Sequence, residues 1–423
     1  MLNYVKKSAV FLVTVFIALF SVYFFNEKVD NKVLRQDLNT KTEKKEQQSL
    51  IKDNAKEQVK DTHIKPPDSV KAVYLSQCGA TSSKIRQRIF ELVNDTEINS
   101  VVIDIKDYTG TISFPTELSG SKGKGCKVKD MKELIDKFHE REVYVIGRIT
   151  VFQDPLYAKA HPELAVQSKS KNAPWSDYKG LHFIDVGAKP FWRYIVKIAH
   201  EAHQKYGFDE LNFDYIRYPS DGPMKDARYD HSDYTNRAEE LEKFFRYLSY
   251  NVKVPDRQGH IPVISADLFG MVTTNYDDLT IGQVLERALP YFDFIAPMVY
   301  PSHYPKGFLG LNNPNKHVYK VINYSMQKAV ERTISETTPI FSFKYKKIEQ
   351  KDKAQNSKPL YKKPSYDKNK LRPWLQDFDY GGDYGAKEVR AQIKAVYDAG
   401  LNSWMLWDPA NIYTKEALTS SNE

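Results

Sequence analysis

Two aspartates at the ends of consecutive strand-like segments carry the chemistry that this chain can be expected to perform. From Phe208 to Pro219 apolar and polar residues alternate with the period of a strand. Leu211 and Phe213 take one face, while Glu210, Asn212 and Asp214 take the other. A carboxylate and an amide on one strand face are costly in an ordinary core. At the carboxyl end of a barrel strand they stand where enzymes of that architecture keep their reacting groups. Ser265-Ala266-Asp267 gives the next strand a similar end. Paired carboxylates flanked by aromatic rings suit cleavage of a glycosidic bond. One carboxyl group, kept protonated, assists the leaving oxygen, and the other, ionised, attacks the sugar carbon or activates water. Asp214 and Asp267 are the candidate catalytic pair. Arg148 or Arg217 would hold one of them ionised, and burial among Tyr and Trp would raise the pKa of the other.

Other strand ends extend the list. One reads Val102-Ile103-Asp104-Ile105-Lys106, another Gly147-Arg148-Ile149, and a third runs from Pro297 through Tyr300 to His303. The last is Trp404-Met405-Leu406-Trp407-Asp408. Asp104, Lys106, Arg148, Asn212, Arg217, Tyr300, His303 and Trp407 are therefore expected to line a substrate cleft, the rings stacking on apolar sugar faces. Some have structural alternatives. Asp104 could pair with Lys106 or Arg148 in a buried network, and Asp267 could cap the loop that follows it. Trp404 alternates with apolar Leu406 and belongs to the core. No histidine and carboxylate spacing suggests a metal ligand set, and no cofactor is expected.

To bring these ends to one edge, the chain must repeat a strand, a loop and a helix. Strands are expected at Val70–Leu75, Ser100–Ile105, Val143–Ile149, the Asp214 run, Pro262–Asp267, Phe294–Val299, Thr338–Phe343 and Asn402–Trp407. Helices are expected near Ser83–Asn94, Lys129–Glu142, Pro190–Tyr206, Tyr234–Val252 and Lys387–Ala399. The near-continuous Val and Ile of the second strand fit a parallel strand buried on both faces. Eight such units favour an α/β fold closed as a (β/α)8 TIM barrel with long loops at its carboxyl-terminal face. No glycine-rich phosphate fingerprint follows the first strand, which disfavours a dinucleotide-binding sheet.

Outside the barrel, the uncharged stretch 8–25 approaches the ~20 residues that cross a bilayer. Lys6 and Lys7 precede it, and its bulky end lacks a cleavage site, so an uncleaved signal anchor is expected, with residues 1–7 cytoplasmic and the body outside the cytoplasm at the cell membrane. Residues 26–67 form a charged linker, the barrel spans 68–415, and 416–423 are a tail. The linker's composition fits a solvated helix, a disordered spacer or a short membrane-proximal coiled coil. A net charge of +8 over 423 residues makes no case for nucleic acid. Two cysteines exclude a disulfide scaffold; Cys78 and Cys126 are open to one bridge or to two free thiols.

The motifs also resemble a known family. Asn212 to Gly222, Ser265 to Gly270 and Ala296 to Tyr304 resemble the bacterial putative glycosyl hydrolase domain family, and Arg372 to Phe378 and Trp404 to Asp408 extend the match in order. The resemblance implies a barrel and carbohydrate hydrolysis, and it brings Trp374 and Asp377 into the expected site. It sets Asp214 in the place of a fourth-strand nucleophile and Asp267 where many similar barrels carry a glutamate acid. Phe208 to Pro219 is also similar to the fourth-strand motif of chitinase-like barrels, whose catalytic glutamate is replaced here by Ile216. Substrate-assisted chitinase chemistry is therefore not expected.

The expected function is a membrane-anchored glycoside hydrolase acting on an envelope or extracellular polysaccharide. Alternatives are a non-catalytic carbohydrate-binding or envelope-scaffolding protein on the same barrel, and a lyase or transferase using the same carboxylates. A lysine-rich loop, residues 344–372, placed after the seventh strand, would overhang the mouth and attract an anionic polymer, with Tyr345, Tyr361 and Tyr366 as stacking surfaces.

Overall fold

The computed structural model of the protein describes residues 63–349 and 358–421. The expected anchor at 8–25 and most of the linker lie outside them. Among the described residues, no helix is long and apolar enough to cross a membrane.

Eight parallel strands close a barrel. They are β1 (Lys71–Leu75), β2 (Ser100–Lys106), β3 (Tyr144–Thr150), β4 (Glu210–Asp214), β5 (Val263–Phe269), β6 (Phe294–Met298), β7 (Trp374–Gln376) and β8 (Trp404–Trp407). Around them run α1 (Ser83–Asp95), α2 (Met131–His139), α3 (Lys189–Glu201), α4 (Arg237–Val252), the short α5 (Leu285–Ala288), α6 (Val318–Ile334) and α7 (Ala386–Asp398). Where an eighth helix would follow β8, the chain makes only a 3-10 turn at Lys415–Ala417 and bonds back to the end of α1, Glu97 N donating to Thr419 O at 3.0 Å.

Strand alternation sorts the side chains into two cores. Leu211 and Phe213 point outward into the large apolar layer between strands and helices. A second cluster fills the barrel's inside, with Tyr74, Tyr144, Ile146, Tyr300, Trp374 and Met405. The polar face of β4 points into that interior and meets polar partners at each level. At the floor, Glu210 accepts from Tyr144 Oη at 3.0 Å and Arg372 Nη2 at 2.8 Å, and Arg372 stacks 3.4 Å above the Phe294 ring. One level up, Arg148 registers with Asp104 on one side and Asn212 on the other, and Asn212 registers with Ser265. The last registered pair of β4 and β5, Phe213 with Ala266, sets Asp214 and Asp267 side by side at the rim.

The seventh strand is not Thr338–Phe343. Only Thr337–Thr338 is extended there, in a small antiparallel sheet with Lys346–Lys347 and Tyr361–Lys362. The barrel is closed instead by the three residues of β7, too few to show a period in sequence. The lysine-rich segment therefore precedes β7 and joins α6 to it. Its described residues pack on the outer helices α4 and α5 and beside the start of β6. Lys370 Nζ bonds the carbonyl of Phe292, just before β6, at 2.6 Å. Ser342 Oγ donates to Glu242 of α4 at 2.5 Å, and Tyr345 Oη to the carbonyl of Glu286 in α5 at 2.5 Å. Tyr345 is buried and offers no stacking surface. As a connection into β7, the segment does not leave a strand end at the mouth, which was the basis for expecting it to meet an anionic polymer.

Cys78 and Cys126 are bridged, with Cα atoms 5.1 Å apart. The bridge ties the connections that follow β1 and β2, both on the mouth side.

Because Leu211 is fully enclosed on the outer face of β4, Leu211→Ala should cost about 2–5 kcal/mol. Guanidinium unfolding would read this as a lower midpoint.

Candidate active site

The chain leaves β4 by a turn that fixes its terminal carboxylate. Tyr215 adopts φ +50°, a left-handed conformation uncommon outside glycine. Its backbone N–H then points at Asp214 Oδ1, 2.6 Å away. The carbonyls of Asp214 and Tyr215 are held in turn by Val151 N at 2.8 Å and Phe152 N at 3.1 Å. Ile216 turns into the outer apolar core, so the position that carries a glutamate in chitinase-like barrels faces no ligand here.

Arg148, on β3, joins three carboxylates. Its Nη1 donates to Asp104 Oδ1 at 2.6 Å, and its Nη2 and Nε both reach Asp214 Oδ2, the latter at 3.1 Å. Asp267 Oδ2 is 3.8 Å from Nε. All four side chains are nearly enclosed. Burial works against the Arg148 cation, yet Asp214 and Asp104 outweigh it and hold the guanidinium firmly charged. Asp104 also accepts from Tyr74 Oη at 2.5 Å, and burial leaves its pKa raised despite these partners.

Asp267 has a different setting. Asn212 Nδ2 and Trp374 Nε1 donate to its Oδ1 at 2.9 and 2.8 Å, and Arg148 stands farther off. Burial, followed by the nearby charge of Asp214, pushes its pKa well above the usual carboxylate range; Arg148 and the two donors offset only part of this. The site thus holds one carboxylate in a tight ion pair beside one carboxyl group disposed to keep its proton.

Aromatic rings wall the mouth. Trp407 stacks on Tyr74 with centroids 3.9 Å apart and meets Trp374 edge-on at 5.4 Å. Arg148 lies 5.0 Å over the Trp407 ring. Tyr300 is buried, and burial together with Asp267 and Asp214 holds its hydroxyl far above its ordinary pKa. His303 is exposed at the rim, edge-on to Tyr300 at 5.3 Å. Arg217 packs over Phe269 at 4.9 Å and Tyr215 at 5.1 Å, beside the same rim.

Asp104, Arg148, Asn212, Asp214, Asp267, Trp374, Tyr300 and Trp407 thus come together. Arg217 and His303 stand beside them at the rim, and the other two expected residues lie outside the site. Lys106 follows a register shift in β2, is fully buried, and bonds Asp154 at 2.9 Å and the carbonyl of Thr150 at 2.6 Å, with Phe191 of α3 packed 5.9 Å away. It braces the outer layer and faces no ligand. Asp377 is occupied in holding the chain after β8, accepting from Thr414 N at 2.9 Å and Thr414 Oγ1 at 2.6 Å. Burial pushes its pKa up to about 6 even so. Tyr74 is the residue that sequence reasoning missed; its alternation with outward Val73 and Leu75 already set it on the inner face.

A family model described as "Putative glycosyl hydrolase domain" matches residues 72–413. Among solved structures, a hypothetical protein from Ruminiclostridium thermocellum ATCC 27405 is 31% identical, over 46% of this chain and 96% of that one, with a TM-score of 0.39. The PgaB (BpsB) glycoside hydrolase domain from Bordetella bronchiseptica is 12% identical over 83% of this chain and 99% of that one, with a TM-score of 0.55. The latter likeness is one of fold. No curated protein matches the chain.

The two donors to Asp267 and the charge of Asp214 act on its proton in opposite senses. Trp374→Phe removes a donor to the carboxylate and should raise the Asp267 pKa further, whereas Asp214→Asn removes a like charge and should lower it. Carboxyl-carbon NMR titration reads both. The folded protein keeps a proton on Asp267 that the unfolded chain releases. Stability should therefore fall as pH rises from the ordinary aspartate range through the raised value, and Asp267→Asn should remove that component.

Proposed function

The chain belongs to the "Putative glycosyl hydrolase domain" family, and we propose that it is a retaining glycoside hydrolase with Asp267 as the acid and Asp214 as the nucleophile. The observation that carries this reading is the unlike setting of two adjacent carboxyl groups. Asp214 is ion-paired by Arg148 and bonded by a backbone N–H, whereas Asp267 has neutral donors and a raised pKa.

In the first step the protonated Asp267 gives its proton to the glycosidic oxygen as that bond breaks. Asp214 attacks the sugar carbon and forms a glycosyl ester. Asp267, now a carboxylate, takes a proton from water, which displaces Asp214 and restores both groups. The spacing accommodates retention and excludes all but the lowest part of the inverting range. Asp214 Oδ2 and Asp267 Oδ2 lie 3.1 and 3.8 Å from one Arg148 atom, so they stand no farther apart than those two distances combined. Retaining enzymes hold their carboxyl groups ~5–5.5 Å apart, and inverting ones ~6.5–9.5 Å. Trp407 and Tyr300 supply ring faces for the sugar, and Asp104 supplies an acceptor for its hydroxyls.

The substrate we propose is an envelope or extracellular polysaccharide, met by a barrel held outside the cytoplasm on the anchor at 8–25. The bridge between Cys78 and Cys126 supports an oxidising compartment.

Incubation with purified envelope polysaccharides should release reducing ends. Asp214→Asn and Asp267→Asn should each lower that rate by about 10²–10⁴-fold. Proton NMR of the first-formed product should show the anomer of the substrate. Sugar binding without turnover in wild type and variants alike would replace the hydrolase with a binding protein.

A further inference from the structure

Paired charge is the rule for buried arginine in this structure, and Arg217 departs from it. Among the described residues, four arginines are buried, and each meets a carboxylate at 2.5–2.8 Å: Arg148 with Asp104, Arg287 with Glu242, Arg332 with Glu286 and Arg372 with Glu210. Arg217 is half-buried beside the rim of the mouth, shortly after Asp214 in the chain. It forms no ion pair among the described residues.

The side chain is nevertheless held in place. Its Nη1 donates to the carbonyl of Tyr218 at 3.0 Å and to Ser220 Oγ at 3.2 Å. Tyr218 is fully buried and its own N–H bonds the carbonyl of Ile281 at 2.9 Å, so the anchoring carbonyl belongs to a fixed segment. Three rings surround the guanidinium carbon, with centroids at 4.9 Å for Phe269, 5.1 Å for Tyr215 and 5.8 Å for Phe183. Tyr215 directly follows Asp214, and Phe269 ends the strand that carries Asp267. Both strands of the carboxylate pair thus contribute a wall of this cage.

One edge of the guanidinium is left over. Nε and Nη2 donate to no atom among the described residues, and neither is sealed from solvent. Arg332 uses this same edge to grip Glu286, with Nε at 2.8 Å and Nη2 at 2.5 Å. Its two parallel N–H groups match the two oxygens of a planar carboxylate. The protein's own acids do not fill the place. Asp214 is taken by Arg148, Asp177 Oδ1 by the N–H groups of Lys179 and Leu181 at 2.9 and 2.8 Å, and Asp221 is exposed. Burial, only partly offset by Tyr215 and these acids, holds the Arg217 pKa below the ordinary arginine value.

We propose that Arg217 reads a carboxylate on the substrate, so that the saccharide held at Asp214 and Asp267 is an acidic one. For cleavage this rests on the glycosidase reading; for binding it stands alone. A sugar hydroxyl would accept from one of the two donors and leave the cation uncompensated. A carboxylate accepts from both and supplies the missing charge. Lysine at this position would keep the charge and lose the fork. A uronic acid and a lactyl ether on a hexosamine both carry such a group.

Two polymers separate these sources: a glucuronate polymer, and peptide-free peptidoglycan strands with free lactyl carboxylates. Each is compared with its own product after carbodiimide and borohydride have reduced the carboxyls to alcohols. Wild type should bind one native polymer about 10–100-fold more tightly than its reduced form, and the polymer that shows the difference names the source. Arg217→Gln should lose that preference by weakening only the native polymer, and Arg217→Lys should regain part of it. The native-to-reduced comparison uses wild type, so it stands even if a variant fails to fold. Equal affinity of wild type for the native and reduced forms of both polymers, or binding to neither, would overturn the proposal, as would a folded Arg217→Gln that still discriminates. Release of reducing ends is read separately. Preferential binding without release would remove the hydrolase and leave the carboxylate site; equally fast cleavage of native and reduced polymer would do the reverse.

Discussion

Asp104, Asp214 and Asp267 crowd one end of a closed barrel where water is scarce, and three such groups cannot all be ionised there without an opposing charge. Arg148 supplies that charge. Its guanidinium reaches two of the carboxylates directly and stands 3.8 Å from the third. Isolated burial of any of these ions would cost several kcal/mol, and the mutual attraction offsets this only where the geometry is tight and the remaining atoms are bonded. Two further arrangements meet that condition: Tyr74 closes the free oxygen of Asp104, and the left-handed turn at Tyr215 brings a backbone N–H to Asp214. One cation set against three acids also leaves a deficit, which a proton on Asp267 reduces.

The same logic runs down the barrel axis. Below the Arg148 level, Glu210 is matched by Arg372 and Tyr144, so the interior is a stack of paired charges with aromatic and aliphatic filling between them. Such an interior adds little net stability. Folding rests instead on the apolar shell outside the strands, where Leu211, Phe213 and Ile216 join residues from α1 to α7. One strand therefore serves both needs, its outward face holding the fold together and its inward face placing charge.

This division explains what was legible in the sequence. The alternation of β4 named both faces at once, and the ends of β2, β3, β5, β6 and β8 could be found because their apolar runs are long enough to show a period. β7 has three residues behind a proline and shows none, so the β-rich stretch at 338–343 took its place, and the lysine-rich segment was read as following a strand when it precedes one. Lys106 was misplaced because a register shift after Asp104 breaks the alternation that would otherwise carry both residues inward. Tyr74 could have been read from the inward parity of β1.

Asp214 and Asp267 are the same residue type at equivalent positions on neighbouring strands, and their difference comes wholly from their neighbours. A charged donor and a backbone N–H meet the first, while neutral amide and indole donors meet the second. Neutral donors orient a carboxyl group without supplying the full charge needed to hold it ionised in a buried setting. The indole of Trp374 has a further consequence, because its ring also abuts Trp407 at the mouth. A sugar stacked on Trp407 would exclude water from the same pocket wall that orients Asp267. Less water disfavours the ionised acid more strongly. Substrate binding and retention of the catalytic proton would then reinforce each other through one pair of rings.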